Sequence, residues 1–157
     1  MVRKFPDTGW AQHDLELLYF TSGNTRGLYQ LYSERLPISP QNVELRNDLA
    51  FTALLLKTNL NAAYQWAAEV YARKTNDPVI VSTYAYALHL QGRNQDGLAA
   101  LQKLSPADLE QPSVALYYGV LLSVTGKTNE AKPFLQIART KGHLLPEEKR
   151  LLAETRK

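Results

Sequence analysis

The chain has 157 residues, 45% of them apolar and 21% charged, with a formal net charge of +3 and no cysteine. That length allows one sizeable core, and the absence of thiols excludes a disulfide framework and a thiolate metal site while leaving cytoplasm and periplasm both open. No run approaches the roughly 18 apolar residues that span a bilayer, and the start at Met1, Arg3, Lys4, Phe5, Pro6 and Asp7 has no apolar stretch of signal-peptide type, so a soluble chain without a membrane span is expected.

In chain order, the first expected helix runs from about Trp10 to Thr21, turns at Ser22 to Asn24, and is followed by a second carrying Leu28, Leu31, Tyr32 and Leu36. Pro37 to Pro40 read as a linker. The next pair covers Asn42 to Lys57 and Asn61 to Arg73; its small packing position falls at Ala50 rather than Phe51, because a close helix crossing wants a small side chain. Asp77 and Pro78 then open a helix with the stripe Ile80, Val81, Tyr84, Ala85, Ala87 and Leu88, which closes at Gly92. Asn94 offers the cap of a partner helix carrying Leu98, Leu101 and Leu104 that stops at Ser105 and Pro106. Pro112 opens the following pair, with Ala115, Tyr118, Gly119 and Leu122 as its stripe and Gly126 at the turn. Thr128 is the expected cap of the partner helix, on which Ala131, Leu135 and Ala138 face back and Pro133 falls early enough to cost few hydrogen bonds. Gly142 suits a left-handed stop, and Pro146 to Arg156 form a last helix whose first turn carries Glu147 and Glu148, where negative charge is favoured.

These elements recur. Ala63, Gly97 and Ala131 are spaced by 34 residues, as are Gly92 and Gly126. That is the period of a two-helix unit, which cannot bury its apolar stripe alone and stacks on its neighbours into a solenoid with an extended concave face. The expected organisation is all-α, one domain over 1–157, with units at 9–37, 42–76, 77–110 and 111–144 and a capping helix at 146–156. The first unit matches least well. From Lys127 onward eight basic residues face four acidic ones, so the basic surplus belongs to the last helices.

The pattern resembles the tetratricopeptide repeat over roughly Val43 to His143, as divergent repeats of bacterial type. Leu49 with Ala50, Tyr84 with Ala85 and Tyr118 with Gly119 supply the large-then-small pair of the first helix. Gly92 and Gly126 stand at the turn, Ala63, Gly97 and Ala131 on the second helix, and Pro78, Pro112 and Pro146 at unit boundaries. No tryptophan opens a repeat, Lys57 to Asn59 replace the turn glycine of the first good unit, and Leu104 is bulky where alanine is usual. The resemblance implies a right-handed α-α superhelix of three to four hairpins that binds extended protein segments along its inner groove, without catalysis. By the same resemblance the groove is lined by Asn47, Asp48 and Phe51, then Ser82, Tyr86 and His89, then Leu116, Tyr117, Val120 and Ser123. The basic residues with which some repeats of this family clamp a terminal carboxylate are replaced by Asp48, Ser82 and Leu116, so no such clamp is expected.

No catalytic or cofactor motif is present. His13, His89 and His143 have no second ligand at helical spacing, and neither a phosphate loop, a dinucleotide fingerprint nor a nucleophile elbow occurs. Tyr84 and Tyr118 belong to the core stripe, and Trp66 and Tyr71 wedge between helices. Tyr86 and Tyr117 either present flat amphipathic surfaces to a peptide or pack against the preceding unit. The expected function is a non-enzymatic interaction or scaffold module for a protein or peptide, either on its own or as the C-terminal part of a larger protein, without metal or cofactor. Two alternatives stay open. The basic end could meet nucleic acid or another anionic surface, although aromatic residues are not interleaved with it. The surface around Trp10 and Tyr19 could support self-association, giving a weak homodimer rather than a monomer.

Overall fold

Short polar side chains and prolines set the helix starts. Asn24 accepts from the Gly27 N–H at 2.9 Å and Asn42 from the Leu45 N–H at 2.9 Å. Asp77 accepts from the Val79 and Ile80 N–H groups at 3.1 and 3.3 Å. Each satisfies donors that a first helical turn leaves free. Pro78, Pro112 and Pro146 stand at first helical positions, where the missing N–H costs nothing.

The computed structural model describes residues 9–155, with side chains from Ala11 onward. The expectations at Met1 to Asp7, the helix end at Arg156 and the Trp10 side chain lie outside the described residues. Within them the chain forms ten helices and no strand: α1 (Gly9–Thr21), α2 (Thr25–Arg35), α3 (Val43–Leu56), α4 (Leu60–Arg73), α5 (Pro78–Leu90), α6 (Asn94–Leu101), α7 (Pro106–Leu109), α8 (Pro112–Val124), α9 (Thr128–Lys141) and α10 (Pro146–Glu154).

Gly92 and Gly126 take φ values of +75° and +86°, and an added Cβ would meet nothing at either, so the backbone conformation of the turn is what requires glycine. In the equivalent turn of the preceding unit, Lys57 and Asn59 adopt left-handed φ values of 51° and 48°.

Four local expectations are corrected. Asn94 lies inside its helix, and Arg93 is the cap residue; the Asn94 Oδ1 instead accepts from His89 Nδ1–H at 2.7 Å, a partner one turn back on the preceding helix. Lys127 replaces Thr128 as the residue before α9. The α6 helix ends at Leu101 rather than Ser105, because Ser105 Oγ accepts from the Asp108 N–H at 3.2 Å and starts the separate turn α7, which buries Leu109. Gly142 is extended, with φ −79°; a Cβ there would stand 2.5 Å from the Ala138 carbonyl oxygen, so close approach and not a left-handed turn excludes a side chain.

Successive helices pair as α1–α2, α3–α4, α5–α6 and α8–α9. The first members α3, α5 and α8 pack side by side, and α2, α4 and α6 each pack on the first helix of the next pair. Small residues allow these crossings: Ala50, Ala63, Ala85 and Ala131 are fully buried, and a Cβ on Gly97 would stand 2.9 Å from the Ala85 carbonyl oxygen. Tyr71 of α4 stacks on Tyr84 of α5 at 4.3 Å, and the Phe134 ring meets Tyr118 edge-on at 4.7 Å. One cluster of buried apolar residues runs from Leu28 to Leu152.

The last helix is not the terminal cap expected of it. Instead of stacking on α9, α10 lies against α8 and α3. Its first turn reaches the α1–α2 turn, where Thr25 Oγ1 donates to Glu147 Oε2 at 2.5 Å. The extended stretch after Lys141 returns the chain, and burial of Leu145 and Leu152 holds the helix there.

Candidate binding cavity

Helical spacing places four side chains of α3 on one face: Asn47, Asp48, Phe51 and Thr52. Ser82, Thr83 and Val79 come together in the same way at the start of α5, as do Ser113 and Tyr117 on α8. Glu16 and Phe20 of α1 and Leu28 and Tyr32 of α2 close one side, and Lys141 to Leu145 with Glu148 close another. Between them lies a cavity of about 520 Å³, within the roughly 300–1,000 Å³ of ligand clefts. Its border includes the exposed Phe20, Val79, Ser113 and His143, so it opens to solvent.

Buried polar groups concentrate here. The buried polar residues of the described chain are Thr25, Asn47, Thr52, Ser82, Thr83 and Glu148; all but Thr25 line the cavity, and Thr25 holds Glu147. Most are satisfied. Thr52, Ser82 and Thr83 donate to carbonyls one turn back in their own helices. Glu148 accepts from the Leu145 N–H at 2.9 Å and from Tyr117 OH at 2.7 Å. Burial raises the Glu148 pKa above its usual range, opposed by those two hydrogen bonds. Burial, reinforced by the Glu148 charge, likewise pushes the Tyr117 hydroxyl well up. Glu16 accepts from Tyr32 OH at 2.9 Å and pairs with Arg35 at 3.3 Å.

Asp48 differs. Burial first, and then the negative charge of Glu16, push its carboxyl up to about 6, against the lowering effects of the Asn47 amide and Arg35. No ion pair reaches it among the described residues. Beside it Asn47, only 3% exposed, has an Oδ1 without a hydrogen-bond donor.

Of the residues expected on a groove wall, Asn47, Asp48, Phe51, Ser82 and Tyr117 meet at this cavity, whereas Tyr86, His89, Leu116, Val120 and Ser123 do not line it. Leu116 is fully buried, because it stands one turn before the crossing position Gly119 and shares its inward face. Val120 is also in the core. Tyr86 is buried with its ring 5.1 Å from Tyr117, and burial pushes its hydroxyl up to about 12. His89 is half-buried against Asn94, and Ser123 Oγ is buried without a partner. Both tyrosines are therefore packing groups, and Tyr117 also holds the returning helix.

Sequence reasoning missed Glu16, Phe20, Thr83, Leu144 and Glu148. Only Glu148 carried a signal, its place in a first turn after proline, and that signal pointed to the helix start rather than to Tyr117. Among the described residues no three His, Asp or Glu side chains gather as metal ligands, and no helix is long and apolar enough to cross a membrane. No protein-family model matches the sequence, and no curated protein matches it either.

Proposed function

We propose that this chain is a non-catalytic interaction module, a right-handed tetratricopeptide-like superhelix of helix hairpins that docks a protein segment on the face formed by α3, α5 and α8. One observation supports the reading above others: that face is already engaged by polypeptide, the chain's own residues 141–148, and a cavity of about 520 Å³ stays open beside them. The groups at its rim suit such a role, since Phe51, Phe20 and Val79 offer apolar contact and the exposed Ser113 offers a hydroxyl.

Affinity capture with the full chain tests it, comparing the native protein with Phe51→Asp and Val79→Asp. Val79 is 45% exposed, so its replacement leaves the core intact. Loss of the same captured protein with both variants, each with unchanged helical circular dichroism, supports the proposal. Undiminished capture by both overturns it.

A second reading, self-association, is favoured by Leu17, Leu18 and Phe20, which are 55, 59 and 41% exposed on a helix that packs mainly on α2. Light scattering on the native chain and on Leu17→Lys with Leu18→Lys decides it. A dimer that the double substitution dissociates supports this reading, and a native monomer removes it.

A further inference from the structure

We propose that the cavity is an anchor pocket, which receives an aromatic side chain of the docked segment. The inference rests on the docking function and adds to it the chemistry of the partner: a segment that presents a Phe or Trp to this face.

The buried polar groups that border the cavity are engaged within the chain. Thr52, Ser82 and Thr83 donate to carbonyls of their own helices, so their donors are taken. Tyr32 and Tyr117 donate to Glu16 and Glu148, and Asp48 has the Asn47 amide. Asn47 Oδ1 has no donor, but it is enclosed by protein and meets no guest. What remains to face the space is largely hydrocarbon: the rings of Phe20, Tyr32 and Phe51, with Leu28, Val79 and Leu144. At about 520 Å³ the cavity has room for on the order of 17 waters, at the roughly 30 Å³ that each takes in the liquid. Water beside such walls finds few partners, so an apolar group that displaces it is bound favourably.

The chain itself shows which kind of group this face takes. Between α9 and α10 the backbone is extended at Gly142 and Leu145, with φ −79° and −68°. From that stretch Leu145 is buried to 1% exposure, and Leu144 packs on the same apolar cluster at the cavity wall. An extended segment that sinks an apolar side chain into this face is therefore already part of the fold. In the space beside it a ring finds specific partners. Phe20, Tyr32 and Phe51 can meet an aromatic guest edge-on, the arrangement that Phe51 already has with Tyr117 at 6.2 Å. Lys141, Ser113 and His143 stand at the exposed rim, where the polar backbone of a docked segment would lie.

The experiment is a nuclear magnetic resonance titration of the full chain with N-acetyl-phenylalanine methylamide. N-acetyl-alanine methylamide is the analogue that lacks the ring, and toluene is the ring without a backbone. The expected result is saturable shifts of the Val79 and Ser113 amides and the Phe51 ring, with the phenylalanine compound bound at least about tenfold more tightly than the alanine compound. Val79→Asp, checked for unchanged helicity, should weaken the phenylalanine compound at least about tenfold. Toluene should bind no more tightly than it, since the open rim admits the amides on either side of the ring. Equal binding of the two amides, shifts that do not saturate, or an affinity unaltered by Val79→Asp overturns the pocket. Toluene bound about tenfold more tightly than the phenylalanine compound overturns the assignment to a peptide side chain. Affinity capture and this titration fail separately: capture without the ring preference removes the pocket and keeps the docking function, while the ring preference without capture removes the docking function and keeps the pocket. The comparison of the two amides on the native chain holds whatever the stability of the variant.

Discussion

Between the hairpins the buried residues are Leu, Ala and Val, such as Leu54, Ala85, Leu101, Val114 and Leu121, and they make no demand beyond close packing. On the face crossed by residues 141–148 the burial is mixed, with Asn47, Thr52, Ser82, Thr83, Tyr117 and Glu148 all withdrawn from water. The difference separates two purposes. Packing alone explains the first region, where small residues such as Ala85 and Gly97 let the helices approach closely. Stability alone does not explain the second, where Asp48 carries a charge its surroundings resist and Asn47 keeps an acceptor unused.

The comparison can be broken most strongly in the interior. Leu54→Ala, at a site with no exposure, should lower unfolding free energy by about 2–5 kcal/mol in urea denaturation, with the slope unchanged. On the mixed face one substitution should act in the reverse direction. The Asp48 carboxyl lies at about 6 against an ordinary 3.8, so the folded chain holds this proton more tightly than the unfolded chain does. Its contribution to stability is complete below pH about 4 and is lost as pH rises through about 6. Asp48→Asn should therefore stabilise the protein at pH 7 by up to about 3 kcal/mol, a gain that fades as the pH approaches 4. Denaturation at both pH values checks the sign, and a loss of stability at pH 7 would contradict the description of Asp48.

Two smaller effects sharpen the same contrast. Tyr117→Phe keeps the ring and its contact with Phe51 but takes a donor from Glu148, and should cost about 1.5–3 kcal/mol. Thr25→Val preserves the shape and removes the hydrogen bond to Glu147, for which about 0.5–1.5 kcal/mol is expected. Hydrogen exchange should place the Thr25→Val loss in α10 and the α1–α2 turn, with the amides of α5 and α6 unaffected.

Much of the helical order was legible because its causes are local. Asp77 with Pro78 starts a helix through contacts within three residues, and Gly92 and Gly126 mark turns through their own backbone angles. Ala50 is fully buried whereas Phe51 is half-buried at the cavity, in keeping with the choice of Ala50 as the small position. Cap residues slipped by one where an alternative partner competed, as His89 does for Asn94. The cavity was half legible. Asn47, Asp48 and Phe51 share a helix face by spacing, but Leu116 turned inward because a step of one residue rotates a side chain by about 100°.

The sequence by itself determined that the chain is helical, that its helices come in pairs of fixed period, and which small residues let the pairs approach; each follows from spacing along one or two neighbouring elements. Only the tertiary structure decided where the last helix goes. Glu148 meets Tyr117 across 31 residues and Glu147 meets Thr25 across 122, and contacts at such separation leave no periodic trace in the chain. The returning helix is what encloses the cavity and leaves Asp48 and Asn47 facing it, because burial and the path of distant segments, not residue type, set which polar groups find partners.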